Sequence, residues 1–224
     1  MTFTALIFGS IGAIAETSDI QRRAFNAAFK EAGLDWEWTG SAYKEMLQKP
    51  GGRNRIAEYA ASRGQQVDAA ALHEAKVETF EAMVKDEGIV ARPGVIETIT
   101  AARDAGLKLG WATSTTPRTV DLMLGGLFPA LPRSVFDFIG NSTMVDNSKP
   151  APDIYHHALD ELGVAADQAI AVEDTPEAAE AAVAAGIYTL GYPNEMASGR
   201  SFPAKVRVID MLRVEDVLAQ KSAA

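Results

Sequence analysis

Apolar positions follow two rhythms along this chain, and the change between them marks its organisation. Residues 3–8 are an apolar run, which predicts a strand buried on both faces of a parallel sheet. Gly9 and Gly12 bracket a predicted tight loop. Ala24, Phe25, Ala28, Phe29 and Ala32 then recur at helical spacing, with Thr17 or Ser18 as the expected N-cap and Gly33 as the stop. Residues 34–90 carry no strand pattern. Short helices are predicted at 43–47, 53–61 and 69–84, with breaks at Lys49-Pro50-Gly51-Gly52 and Arg63-Gly64. That helical block is too long for a simple crossover and reads as an inserted small domain. Trp36 and Trp38 alternate with Glu37 and are expected to pack inside it.

From Arg92-Pro93-Gly94 onward, strands and helices alternate. Helices are predicted at 95–105, 119–124, 152–162 and 176–185, and strands at 108–112, 135–139, 169–172, 187–191 and 206–209. Such alternation implies right-handed crossovers and a parallel sheet. The expected fold is α/β, a Rossmann-like parallel-sheet core with an inserted α-helical domain. The expected core spans residues 1–16 and 88–224, and the insertion residues 17–87.

Composition removes several classes of function. The chain has 224 residues, 47% of them hydrophobic, enough for a sizeable core without staples. It has no cysteine, which excludes disulfides, thiolate chemistry and Cys-based metal centres. A net charge of −9 argues against nucleic acid or anionic membrane as partner. The first residues lack the pattern of a signal peptide and no run reaches membrane-span length, so a cytoplasmic location is expected. The ligand and the oligomeric state are not legible at this level.

The chemistry-bearing residues collect at predicted strand ends, where ligands bind in open α/β sheets. They are Gly9-Ser10-Ile11-Gly12, Thr113-Ser114-Thr115, Ser148-Lys149-Pro150-Ala151-Pro152-Asp153 and Glu173-Asp174. A hydroxyl, a lysine and an acidic pair in that order suit a phosphate and its magnesium.

That order resembles the haloacid dehalogenase-like (HAD-like) hydrolase superfamily, in its CbbY-type and β-phosphoglucomutase-like sugar-phosphatase branch. The residues that carry the resemblance are Lys149-Pro-Ala-Pro-Asp-Ile-Tyr155, Val172-Glu173-Asp174-Thr175 and Ala112-Thr113-Ser114-Thr115, and it extends over nearly the whole chain. It implies that the helical insertion is a cap, that Thr113, Ser114, Lys149 and Gly12 bind a phosphate, and that Glu173 and Asp174 hold magnesium. It also implies that Glu16, Gln21, Arg53, Arg55 and Lys76 serve the substrate on the cap side, Arg53 and Arg55 lying in a segment that reaches a distal phosphate. Gln21 departs from the histidine usual in that branch. Read without the resemblance, His73 and Lys76 are expected to face solvent, and Arg53 and Arg55 are equally well surface charges.

The resemblance fails at the first strand. The family places Asp-x-Asp-Gly-Thr there, the first aspartate attacking phosphorus and the second handling the proton. This chain reads Gly9-Ser10-Ile11-Gly12-Ala13. The nucleophile, the general acid/base and one metal ligand are therefore expected to be missing, and magnesium binding to be weakened. General acid–base catalysis contributes about 10² to 10⁴-fold. A covalent nucleophile can be worth on the order of 10⁶-fold. The expected function is a non-catalytic homologue that binds a phosphorylated metabolite or a protein partner. The alternative is an active hydrolase with relocated chemistry, in which Glu173 or Asp174 holds a metal-bound water. Ser10 is a poor replacement nucleophile because no base stands beside it. Gly9-x-x-Gly12-x-x-Ala15 also resembles a dinucleotide loop, but no strand ending in an acidic residue follows about 20 positions on.

Overall fold

The computed structural model describes residues 3–47, 51–195 and 197–218. The chain divides into two compact units, one of Met1–Glu16 with Ile89–Ala224, the other Thr17–Gly88.

The first unit holds a six-stranded sheet. Its strands are β1 (Ala5–Phe8), β2 (Lys108–Trp111), β3 (Phe138–Ile139), β4 (Ala169–Glu173), β5 (Tyr188–Gly191) and β6 (Arg207–Val208). The order is β3-β2-β1-β4-β5-β6 and every pairing is parallel. All residues of β1 and β4 are buried, as the apolar runs Ala5–Phe8 and 169–172 require, and the burial extends to Glu173 at the end of β4. Successive strands are added to one side of β1 as far as β3 and to its other side from β4 onward, which makes the carboxyl ends of β1 and β4 the topological switch point, where an open α/β sheet forms its ligand crevice. Register places Phe8 beside Val172, and the Gly9 N–H continues the ladder to the Val172 carbonyl at 3.0 Å. Residues 9 and 173 are therefore neighbours for reasons of strand pairing alone.

Helices of this unit are α1 (Ile11–Ile14), α6 (Val95–Asp104), α7 (Pro117–Leu127), α8 (Asp153–Leu162), α9 (Pro176–Ala184) and α10 (Val214–Leu218); the second unit supplies α2 (Ser18–Glu31), α3 (Gly40–Met46), α4 (Gly52–Ser62) and α5 (Ala69–Glu87). Local chemistry sets several starts. Thr116 and Thr175 accept from the N–H groups of Thr119 and Ala178, each with proline at the first helical position. Asp68 accepts from Ala70 and Ala71 to open α5.

Several expectations need correction. The segment after Gly9 is a one-turn helix, α1, rather than only a tight loop. Helix α7 begins at Pro117, not 119, because the Thr116 cap and Pro117 together start it. Residues 133–135 form a 3₁₀ turn, which shortens β3 to two residues. Ala32 caps the end of α2 and is exposed, so it lies off the buried stripe. In the predicted break at 49–52, Lys49 and Pro50 lie outside the described residues.

The second unit is held by an aromatic cluster. Phe25 and Phe29 of α2 lie 4.7 Å and 4.8 Å from the Trp38 ring, and Tyr59 lies 5.1 Å from Trp36. Asn26 fixes Trp38 through both backbone groups, donating to its carbonyl at 3.0 Å and accepting from its N–H at 2.8 Å.

Candidate functional site

The end of β1 lacks a side chain where the resemblance places an aspartate, and a neighbouring strand has filled the room. A Cβ built on Gly9 would overlap the Glu173 carboxylate and the Tyr155 hydroxyl. Glu173, the last residue of β4, is completely buried. Its Oε1 accepts from the Lys149 ammonium and from Tyr155 Oη at 2.6 Å, and its Oε2 accepts from the Ser10 N–H at 3.0 Å. One cation and two neutral donors thus converge on one carboxylate. Lys149 is itself buried, with its ammonium 4.8 Å from the Tyr155 ring centroid. A carboxylate taken out of water needs such a partner set, since desolvating an ion costs several kcal/mol.

Asp174 leans the other way. Its Oδ2 accepts from Asn194 Nδ2 at 2.7 Å, and a Cβ on Gly12 would collide with that same oxygen. Its Oδ1 is buried with no hydrogen-bond partner. Burial first, and then the adjacent Glu173 charge, push its pKa up to about 7, against the pull of Lys149 and Arg92. A raised carboxyl pKa makes the folded state bind the proton better than the unfolded chain. The stability it contributes is therefore complete below about pH 4 and is lost as pH rises through about 7. Asp174→Asn is expected to flatten that slope, so the melting temperature of the variant should exceed that of the parent at about pH 8 and converge with it near about pH 5. Thermal melts across that range check this; parallel curves would show that Asp174 is ionised throughout.

Arg92 ties the site together and was missed from the sequence. Its guanidinium donates to the carbonyls of Gly12 (2.7 Å), Tyr192 (2.8 Å) and Pro193 (2.6 Å), and lies 3.4 Å from the Tyr192 ring centroid. It joins α1 to the loop after β5. Nothing in the local pattern around Arg92 signals this. Tyr155 was also unassigned. Its signal was a phenol on the buried stripe of α8, near the start of that helix and shortly after Lys149, because a buried hydroxyl needs a partner.

The other candidates distribute as follows. Thr113 is buried and its Oγ1 accepts from the Thr115 N–H at 3.2 Å. Ser114 Oγ is buried without a partner. Glu16 belongs to the sheet unit and accepts from the Glu195 N–H at 3.1 Å. In the helical unit Arg53 is exposed, whereas Arg55 and Lys76 are buried. Lys76, expected at the surface, donates to Gln21 and lies 4.8 Å from the Phe25 ring centroid and 5.0 Å from that of Phe80. Burial, and then Arg55, lower its pKa to about 8. His73, also expected at the surface, is half-buried; burial and then the charges of Lys76, Arg53 and Arg55 hold its pKa down. Lys76, Arg53 and Arg55 thus lie close enough to His73 to act on it as one group of charges.

A magnesium ion does not fit the residues present. Glu173 is engaged by three donors, Asp174 offers one unpartnered oxygen, and no group of three His, Asp or Glu side chains among the described residues could hold a metal. Magnesium demands near-octahedral oxygen coordination, commonly with one or two protein carboxylates.

Residues 7–192 match the haloacid dehalogenase-like hydrolase family. Protein CbbY of Cereibacter sphaeroides is 37% identical over 211 residues, covering 92% of this chain and 91% of that protein. The crystal structure of CbbY from Rhodobacter sphaeroides in complex with phosphate superposes with a TM-score of 0.78 at 35% identity, covering 94% of this chain and 95% of that one. A mutant of that protein has been solved with xylulose-(1,5)bisphosphate, at the same similarity. A putative β-phosphoglucomutase from Thermotoga maritima shares the fold, with a TM-score of 0.80 at 22% identity over the full length of both chains.

Proposed function

This chain belongs to the haloacid dehalogenase-like hydrolase family, in its CbbY-like sugar-phosphatase branch, and from that premise we propose that it binds a phosphorylated small molecule without hydrolysing it. One observation carries the proposal: the space a nucleophilic carboxylate would need at position 9 is occupied by the carboxylate of Glu173. Gly9 offers no attacking atom and Ile11 no proton. Glu173 is a poor substitute nucleophile, because it is fully buried and three donors stabilise its charge where it stands.

What remains suits recognition. Thr113 and Ser114 follow the end of β2 and Lys149 lies ahead of α8, all in the sheet unit, and Arg53, Arg55 and Lys76 give the helical unit a positive cluster of its own. The CbbY neighbours are solved with phosphate and with a pentulose bisphosphate, so sugar phosphates are the class to test. Phosphate release from xylulose 1,5-bisphosphate and from sugar monophosphates, with magnesium present, is expected to stay at the buffer background, while calorimetry detects saturable binding of at least one of them. Turnover at ordinary enzyme rates, about 10 s⁻¹, would overturn the proposal.

A further inference from the structure

The same cluster assigns a second role to Glu173, one that rests on the reading of a phosphorylated ligand just given. We propose that Glu173 is a built-in competitor: its carboxylate sits in the anion cradle of the sheet unit and is the group that an incoming phosphoryl must displace.

Three observations converge. First, the donors around Glu173 form an oxyanion-type set. A buried ammonium (Lys149), a phenol (Tyr155) and a backbone N–H (Ser10) all point at two carboxylate oxygens. Such convergent, partly charged donor sets are how proteins hold carboxylates and phosphoryl groups alike. Second, the pose exists only because residue 9 is glycine. Any Cβ there would overlap the Glu173 carboxylate, so the loss of the side chain and the inward position of Glu173 are one change. Third, the carboxyl end of a neighbouring strand region in the same unit carries an unused polar group. Ser114 Oγ, three residues beyond the end of β2, is buried with no partner. Two carboxylate oxygens already serve three donors, and a phosphoryl group brings a further oxygen.

The consequence is weak binding of free anions by the parent protein. Glu173 neutralises Lys149, and Asp174 beside it is a second carboxyl group without a cation of its own within hydrogen-bond distance. A phosphoryl group arriving here meets no net positive charge until Glu173 swings away. Removing the Glu173 side chain leaves the ammonium, the phenol and the N–H aimed at an empty space of carboxylate size.

The experiment uses inorganic phosphate as probe, at constant ionic strength against chloride, with the full chain, Glu173→Ala and Glu173→Gln. Glu173→Ala is expected to bind phosphate at least about tenfold more tightly than the parent by calorimetry, and to gain a saturable rise in melting temperature with phosphate concentration. Glu173→Gln keeps the shape, fills the cradle and removes only the charge, and should fall between the two. Where Glu173→Ala is unfolded in chloride, recovery of its circular dichroism on adding phosphate is the expected result. Equal phosphate affinity in parent and Glu173→Ala overturns the inference and leaves the proposed function standing. So does an unfolded Glu173→Ala that phosphate fails to recover, together with a folded Glu173→Gln that binds no more tightly than the parent. Tight phosphate binding by Glu173→Ala, with no sugar phosphate bound by the parent, supports the competitor and overturns the proposed function instead.

Discussion

Replacing Gly9 and Ile11 together by aspartate is expected to raise phosphate release from sugar phosphates by about 10³-fold or more over the parent, assayed with magnesium present. The reasoning starts from what the sheet retains. The β1/β4 register still sets residue 9 beside Glu173, and Lys149 still reaches that point. Gly9 is not among the glycines with positive φ, so its backbone accepts an aspartate without strain. The obstacle is occupancy. An aspartate at position 9 forces Glu173 out of its place, and the ammonium of Lys149 is then free to pair with the new carboxylate. The second aspartate restores a group able to carry a proton at position 11. Recovery short of full family activity is expected, because Tyr155 Oη also crowds the new Cβ and must shift. A folded double variant that stays at background would show that the pocket has diverged beyond these two positions.

Removing the cation should unsettle the fold as well as the anion cradle. Lys149→Met is expected to destabilise the protein by about 3–5 kcal/mol, because it leaves the Glu173 charge buried and unpaired. Both partners are buried, so solvent does not screen the loss. The neutral double variant Lys149→Met with Glu173→Gln should recover most of that stability, since neither group then carries an isolated charge. Urea denaturation of the parent, of Lys149→Met and Glu173→Gln singly, and of the double variant closes the cycle. Additive losses would mean that the pair is not the coupled unit described above.

The periodicity of the sequence placed the main strands and helices of both units within a few residues, because a buried parallel strand and an amphipathic helix each leave a local signature. The run of residues 3–8 contains β1, and the stripe of Ala24, Phe25, Ala28 and Phe29 is the buried face of α2. Boundaries failed where a cap or a tertiary contact outweighed the pattern, as at Thr116-Pro117, or where the segment was too short to show a period, as at α1. Lys76 was misread because its position on α5 gives no sign that Phe25 and Phe80 close over its stem.

What the sequence determined by itself is an absence and its address: no carboxylate at positions 9 and 11, at the end of the first strand of an α/β sheet. It also supplied the parts, Lys149, Glu173 and Asp174, in family order. Only the tertiary structure decided what those parts do with the vacated space. Residues 9, 149, 155 and 173 are brought together by strand pairing and by the seat of α8, contacts across up to 164 positions of chain that no local pattern encodes. Once they meet, electrostatics dictates the rest: a buried ammonium and a buried carboxylate must find each other, and glycine leaves the room for it.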